Sequence, residues 1–239
     1  MLKVDGISAG YGKLQILNDV TLEANPGELT IIVGPNGSGK STLLKSVAGL
    51  TSIYKGTVTM NGKTLSGHPP HVIARLGLAY LPQTESVFTK LSVTENFKMA
   101  AYMVSKDEYQ TRLNDSLEIF PQLRSYLGSR VVNLSGGERQ MVAMTMALLR
   151  KPQVIMFDEP TANLSPKYAT EVLRTIQTLG KERGLTIVLV EQNAKRALEI
   201  GDRAYLLVGG KNAFTGTAKE LLSHQELARM YLGMKAVGA

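Results

Sequence analysis

The sequence predicts an α/β fold: a parallel-stranded core, an antiparallel β subdomain at the N-terminus, and an α-helical subdomain inserted into the core. Three observations carry this expectation. Beyond residue 150, apolar runs of strand length (154–157, 186–190, 203–208) alternate with helical patterns (166–183, 194–199), as parallel βαβ units do. A glycine-rich loop, Gly34-Pro35-Asn36-Gly37-Ser38-Gly39-Lys40-Ser41, lies between an apolar run at 29–33 and a helical pattern. The middle of the chain reads as three successive helices, 94–104, 106–120 and 137–150, which sets the insert at roughly 84–150.

The chain opens with β patterning at Val4 and Ile7, at Val20 and Leu22, and at 29–33. A helix begins at Lys40 and stops near Gly49, since a glycine past the last periodic residue ends helices. Residues 56–60 run into Asn61-Gly62, a dipeptide suited to a two-residue hairpin turn. Leu78-Ala79-Tyr80 reads as a short buried strand, closed by Leu81-Pro82-Gln83. Loops at Ser105 and around Gly128 separate the helices of the insert. The last residues, Ala236-Val237-Gly238-Ala239, are expected to fray. Residues 1–239 are read as a single domain, within the size one core supports.

Hydrophobic residues make up 44% of the chain, enough for a substantial core. No apolar stretch nears the roughly 18 residues needed to cross a bilayer, and the N-terminus lacks a signal-peptide pattern. A cytoplasmic protein is expected, docked on something else. With no cysteine, disulfides and thiolate metal sites are excluded. Lysine and arginine outnumber aspartate and glutamate by 27 to 20, but no block of like charge occurs. A dispersed net charge of +7 fits a solvated surface, and no nucleic-acid partner is expected.

The pattern GxxxxGK[ST] describes a phosphate cradle. Its glycines, Gly34, Gly37 and Gly39, let successive backbone N–H groups turn inward around phosphate oxygens. Lys40 supplies a point charge to the β- and γ-phosphates, and Ser41 offers a hydroxyl to Mg²⁺. The helix starting here adds its positive dipole end. Asp158 closes the apolar run Val154-Ile155-Met156-Phe157, which puts a carboxylate at the strand end beside the loop, where it can hold Mg²⁺ through water. Glu159 follows where the strand gives way to a loop and is the candidate to orient or deprotonate an attacking water. A third segment, Leu134-Ser135-Gly136-Gly137-Glu138, heads a helix. Its hydroxyl and exposed N–H groups make a second anion seat, and Ser135 with Glu138 also fits a capping box. Because it lies on the insert, it is expected to reach the γ-phosphate of another subunit.

With these motifs in this order, the chain resembles ATP-binding-cassette (ABC) ATPase subunits from Leu2 to about Leu232. The resemblance implies a P-loop NTPase (RecA-like) core, with Walker A at 34–42, the signature at 134–138, and Walker B at 154–158 with Glu159 as catalytic base. It implies that Tyr11 stacks on adenine, that Thr42 contacts the α-phosphate, and that Pro35, Asn36 and Ser38 belong to the nucleotide loop. It also implies that Gln83 touches Mg²⁺ or water where a membrane partner docks.

Two departures stand out. Gln192, in Glu191-Gln192-Asn193, stands where the family's switch histidine usually lies. Glutamine can hydrogen-bond a γ-phosphate but cannot carry a proton at neutral pH. The segment Ala162-Asn163-Leu164-Ser165 ends in serine where the family commonly has aspartate. Glu-Gln-Asn, the short chain and a Tyr231-Leu232-Gly233 ending are similar to one of the two ATPase subunits of branched-chain amino acid importers, although such subunits often carry Glu at the position of Gln83. The resemblance implies ATP and Mg²⁺ as ligands. It implies as partners a second ABC ATPase subunit (a mixed pair, or a homodimer), integral-membrane permease subunits and, indirectly, a solute-binding protein. The place implied is the inner face of the cell membrane. An exporter subunit, or an ABC ATPase of DNA repair or translation, is the alternative. The latter fits less well, because the stretch between the Walker motifs has no coiled-coil heptads and the chain holds one cassette.

Overall fold

In the computed structural model, which describes residues 1–84 and 86–231, the chain builds two sheets. The first is antiparallel, with strand order β2-β1-β4-β5, from β1 (Leu2–Tyr11), β2 (Leu14–Ala24), β4 (Ser52–Met60) and β5 (Lys63–Thr64). Asn61 and Gly62 both take positive φ (49° and 77°), as the two central residues of a tight hairpin turn must. The second sheet has six strands, in order β10-β9-β3-β8-β7-β6. Its parallel members are β3 (Leu29–Val33), β6 (Leu78–Leu81), β7 (Val154–Asp158), β8 (Thr186–Val190) and β9 (Arg203–Val208). β10 (Lys211–Thr217) closes one edge antiparallel to β9.

Both faces of the six-stranded sheet are covered over its parallel strands, which is why β3, β7, β8 and β9 are largely apolar runs rather than alternating. Ile31, Ile155, Phe157, Ile187 and Leu189 point into one core, with α6 (Pro166–Lys181), α7 (Ala194–Ile200) and the helices of residues 84–150. Ile32, Val154, Met156, Val188 and Val190 point the other way, into a core shared with the antiparallel sheet and α1 (Lys40–Val47). α6 buries Ala169, Val172, Leu173, Ile176, Leu179 and Gly180, one stripe at helical spacing. Each of its larger apolar side chains contributes about 1.5–3 kcal/mol when fully buried.

The segment between β6 and β7 is helical: α3 (Val93–Ala100), α4 (Lys106–Ile119), 3₁₀ turns at Pro121–Tyr126 and Val131–Asn133, and α5 (Gly136–Leu148). Because β6 and β7 are hydrogen-bonded neighbours, this segment is the crossover between two adjacent strands.

Several helices are shorter than the sequence predicts. α1 ends at Val47 because Gly49 and Leu50 donate back to Ser46 O (3.1 Å) and Lys45 O (2.8 Å), a paired bond pattern that stops a helix. The helix expected over 94–104 stops at Ala100, and a turn from Val104 N–H to Ala101 O leads into the next cap, Ser105. Four elements had not been expected from the sequence: β10, α2 (Pro70–Arg75), α8 (Ala218–Ser223) and α9 (Gln225–Tyr231). The expected frayed tail at 236–239 and most of the Tyr231-Leu232-Gly233 ending lie outside the described residues. Among the described residues, no helix is long and apolar enough to cross a membrane.

Candidate active site

β3 ends at Val33 inside the six-stranded sheet, and the chain turns at once into the glycine loop. Gly34 has φ 148°, and a Cβ there would collide with the carbonyl oxygen of Leu207 on β9, so glycine is required. Ser38 N–H donates to Pro35 O (3.2 Å) and Gly210 N–H to Ser38 O (3.1 Å), which fastens the loop to itself and to the β9–β10 turn. α1 begins at Lys40 with no side chain capping it, so its first N–H groups and dipole end stay available to an anion.

Lys40 is 6% exposed. Its ammonium donates to Gly34 O at 2.9 Å and Pro35 O at 3.1 Å. Burial pushes its pKa down, while Glu159 and Asp158 pull it up. Asp158, the last residue of β7, is 4% exposed and held on both oxygens. Oδ1 accepts from Ser41 Oγ (2.9 Å) and Oδ2 from the Tyr80 hydroxyl (3.0 Å). Burial, with the charge and hydrogen bond of Asp158, drives the Tyr80 pKa well up, so the phenol remains a donor. A hydroxyl and a carboxylate together beside the glycine loop are the hard oxygen donors that Mg²⁺ takes, so the residues present fit the ion.

Glu159 adopts φ 50°, a left-handed conformation uncommon outside glycine. Its N–H donates to Val190 O (2.9 Å), which ties it to the end of β8. Its Oε2 accepts from Gln83 Nε2 at 3.1 Å, so the chain leaving β6 reaches the carboxylate at the end of β7. Gln192 is exposed just beyond β8. Tyr11, 45% exposed, sits at the end of β1 where the hairpin turns. Thr42 is buried on α1.

Ser135, Gly136 and Gly137 form the start of α5. Ser135 Oγ accepts from Glu138 N–H (3.4 Å) and Glu138 Oε2 from Ser135 N–H (2.7 Å), a complete capping box. Gly137 packs so closely on α6 that a Cβ would lie 2.8 Å from the Tyr168 ring. No hydrogen bond among the described residues joins 135–137 to the glycine loop of the same chain.

Two residues at the site were missed from sequence. Tyr80 read only as part of a buried strand, yet its hydroxyl holds Asp158. Glu191 is 3% exposed, and its carboxylate accepts from Thr161 N–H (3.1 Å) and Gln192 N–H (3.2 Å). Burial raises its pKa against the pull of those bonds, and the charge of Glu159 adds to the rise. The one signal available was an acid directly after the apolar run 187–190, the same signal that marks Asp158-Glu159.

A family model described as ABC transporter matches residues 17–162, spanning the glycine loop, Ser135-Gly136-Gly137 and Asp158-Glu159. The chain belongs to the ABC transporter family. Among ABC relatives it is 51% identical to a "Probable branched-chain amino acid transport ATP-binding protein LivF" of Archaeoglobus fulgidus, over 98% of this chain and 99% of the relative. It is 39% identical to the high-affinity branched-chain amino acid transport ATP-binding protein BraG of Pseudomonas aeruginosa, covering 98% and 100%. The lipopolysaccharide export system ATP-binding protein LptB of Escherichia coli is 33% identical over 97% of each chain. The ADP conformation of MJ1267, an ATP-binding cassette of an ABC transporter, matches with a TM-score of 0.86 at 25% identity, covering 96% and 97%. An ATP-binding subunit of an ABC transporter matches at 0.79 and 30% identity, covering 96% and 92%. The expected α/β P-loop architecture is therefore that of an ABC ATPase, coupled in this family to transport.

Proposed function

We propose that this ABC subunit is the ATP-hydrolysing motor of a membrane importer for branched-chain amino acids or related small polar solutes. The observation that carries the reading is the contact set around buried Lys40: Ser41 against Asp158, and Gln83 against Glu159. These contacts gather the side chains at the ends of β6 and β7 beside the glycine loop, which supports reading them as a phosphate grip, hard oxygen ligands and a water-activating base. Likeness to LivF and BraG at 51% and 39%, against 33% for the export protein LptB, supports import of such solutes.

In this reading Tyr11 stacks on adenine, and residues 34–42 wrap the phosphates with their N–H groups. The Lys40 ammonium exchanges its loop carbonyls for β- and γ-phosphate oxygens, and Thr42 meets the α-phosphate. Ser41 and, through water, Asp158 would hold Mg²⁺, with Gln83 alongside; when bound, the ion neutralises charge on the β- and γ-phosphate oxygens. Glu159 orients and deprotonates the attacking water, while the Gln83 amide steadies its carboxylate. Gln192 donates a hydrogen bond to the γ-phosphate.

The start of α5 serves another molecule. Ser135, Gly136 and Gly137 cover the γ-phosphate of ATP held in the loop of a second ABC subunit, in a mixed pair or a homodimer. ATP binds the closed pair better than the open one, and that difference is what shifts the balance of states. Permease subunits at the inner face of the membrane take up the motion, and a solute-binding protein delivers cargo on the far side. Residues 1–239 act as one nucleotide-binding domain, with 84–150 as its helical subdomain.

Lys40→Ala tests the grip. Losing a charged hydrogen-bonding partner costs about 1.5–3 kcal/mol, so nucleotide affinity should fall about 10- to 100-fold in a binding titration. Uptake of labelled leucine by the assembled transporter should be lost as well. Unchanged nucleotide affinity would overturn the phosphate-loop assignment, and intact binding with no leucine uptake in the parent would overturn the solute.

A further inference from the structure

The two strands that carry the catalytic ends part company at one level. Asp158 on β7 pairs with Val190 on β8, and Glu159 N–H makes the last bond across them, to Val190 O. Past that point the β7 chain folds into a turn, with Ala162 N–H on Glu159 O and Leu164 N–H on Thr161 O, both at 3.1 Å. The β8 chain heads instead for α7, through Gln192 and Asn193. The Glu191 carboxylate spans the gap: one oxygen takes the Thr161 N–H and the other the Gln192 N–H.

We propose that Glu191 is a positioning residue, a brace that fixes the turn carrying Glu159 and the segment carrying Gln192 in one mutual geometry. The inference rests on the roles given above to those two residues. Only a carboxylate has two oxygens that both accept, and the two donors it serves lie on different chain segments. Burying such a group is costly when no cation faces it. Glu191 is 3% exposed, and no ion pair to it occurs among the described residues. A neutral residue would satisfy stability more cheaply, so the arrangement points to a need for geometry. Burial raises the pKa of the group, in keeping with that cost.

The variants separate bracing from charge. In Glu191→Gln a single oxygen remains to accept and an amide N–H confronts a backbone donor, so one arm opens. Glu191→Asp keeps the charge but is one methylene too short to reach both donors. In the chain assembled with its partner subunits, either variant should lower kcat about tenfold and leave the KM for ATP within twofold. The melting temperature reports whether each variant is folded, and Asp serves if Gln is not.

A double-mutant cycle with Gln192→Ala gives the readout that a merely structural role would not move. Once the Gln192 side chain is gone, the tenfold cost of Glu191→Gln should shrink below threefold, because residues acting as a unit are non-additive. A cost equal in both backgrounds, or an unchanged kcat in both Glu191 variants, overturns the brace. Glu159→Gln measured alongside keeps the two readings apart. Unimpaired hydrolysis there would bring down the site itself, whatever Glu191 does.

Discussion

Tyr80→Phe deletes one oxygen from the proposed metal site and leaves the strand beneath it in place. Tyr80 pairs with Met156 in the parallel register, and its hydroxyl is the donor to Asp158 Oδ2, at 3.0 Å. Asp158 is 4% exposed, so water is poorly placed to replace the lost donor. A hydrogen bond to a charged group contributes about 1.5–3 kcal/mol. For a chain of this length each kcal/mol moves the melting temperature by about 2–4 °C. Without nucleotide, the variant should therefore melt about 3–12 °C lower.

The second consequence concerns the ion. Removing a group that orients a metal ligand typically costs 10- to 100-fold in metal affinity. The Mg²⁺ concentration for half-maximal ATP hydrolysis should rise by that factor, while the rate at saturating Mg²⁺ stays close to the parent. The Tyr80 hydroxyl is kept protonated by burial and by Asp158, since its pKa is raised above that of free tyrosine. The difference between variant and parent should thus be flat from about pH 6 to pH 9, well below the ordinary tyrosine pKa near 10. The assays are thermal melting and a Mg²⁺ titration of ATPase activity. Identical melting together with an identical Mg²⁺ curve would refute the reasoning.

Other substitutions probe the remaining assignments. Glu159→Gln should slow hydrolysis by about 10²–10⁴, the usual contribution of a general base, while ATP still binds and an ATP-bound dimer accumulates on size exclusion. Turnover at the parent rate would remove Glu159 from its role. Gln192→His should hydrolyse ATP at an equal or higher rate in a steady-state assay; a collapse would show that glutamine has a purpose of its own. Ser135→Ala removes the capping acceptor and should cost about 1 kcal/mol, read as a fall of about 2–4 °C in melting without nucleotide. No change in melting would contradict the capping box.

What the sequence revealed follows from how local each signal is. The strand–loop–helix passage through Gly34 and Lys40 was legible because its glycines, charge and flanking apolar runs all lie within residues 29–47. Asp158 and Glu159 were legible because two acids directly follow an apolar run of strand length. Tyr80 was not, because its partner lies far along the chain and meets it only once β6 and β7 pair in register. The brace at Glu191 is hidden for the same reason, with one donor next door and the other on a distant turn. β10 escaped notice because it is an edge strand of mixed polarity, alternately exposed and half-buried, and lacks the apolar run that marks its neighbours. The premature ends of α1 and α3 were set by turn hydrogen bonds that periodicity does not record.

The glycine loop springs from β3, which has strands paired along both its sides and a core on each face. Segments so enclosed exchange their amide hydrogens only through the largest openings of a molecule, whereas exposed rims exchange through small local ones. The backbone rooted under Lys40 should accordingly retain deuterium protection after the β10 rim has exchanged. Partial melting of the periphery would then leave the proposed seat of the nucleotide standing.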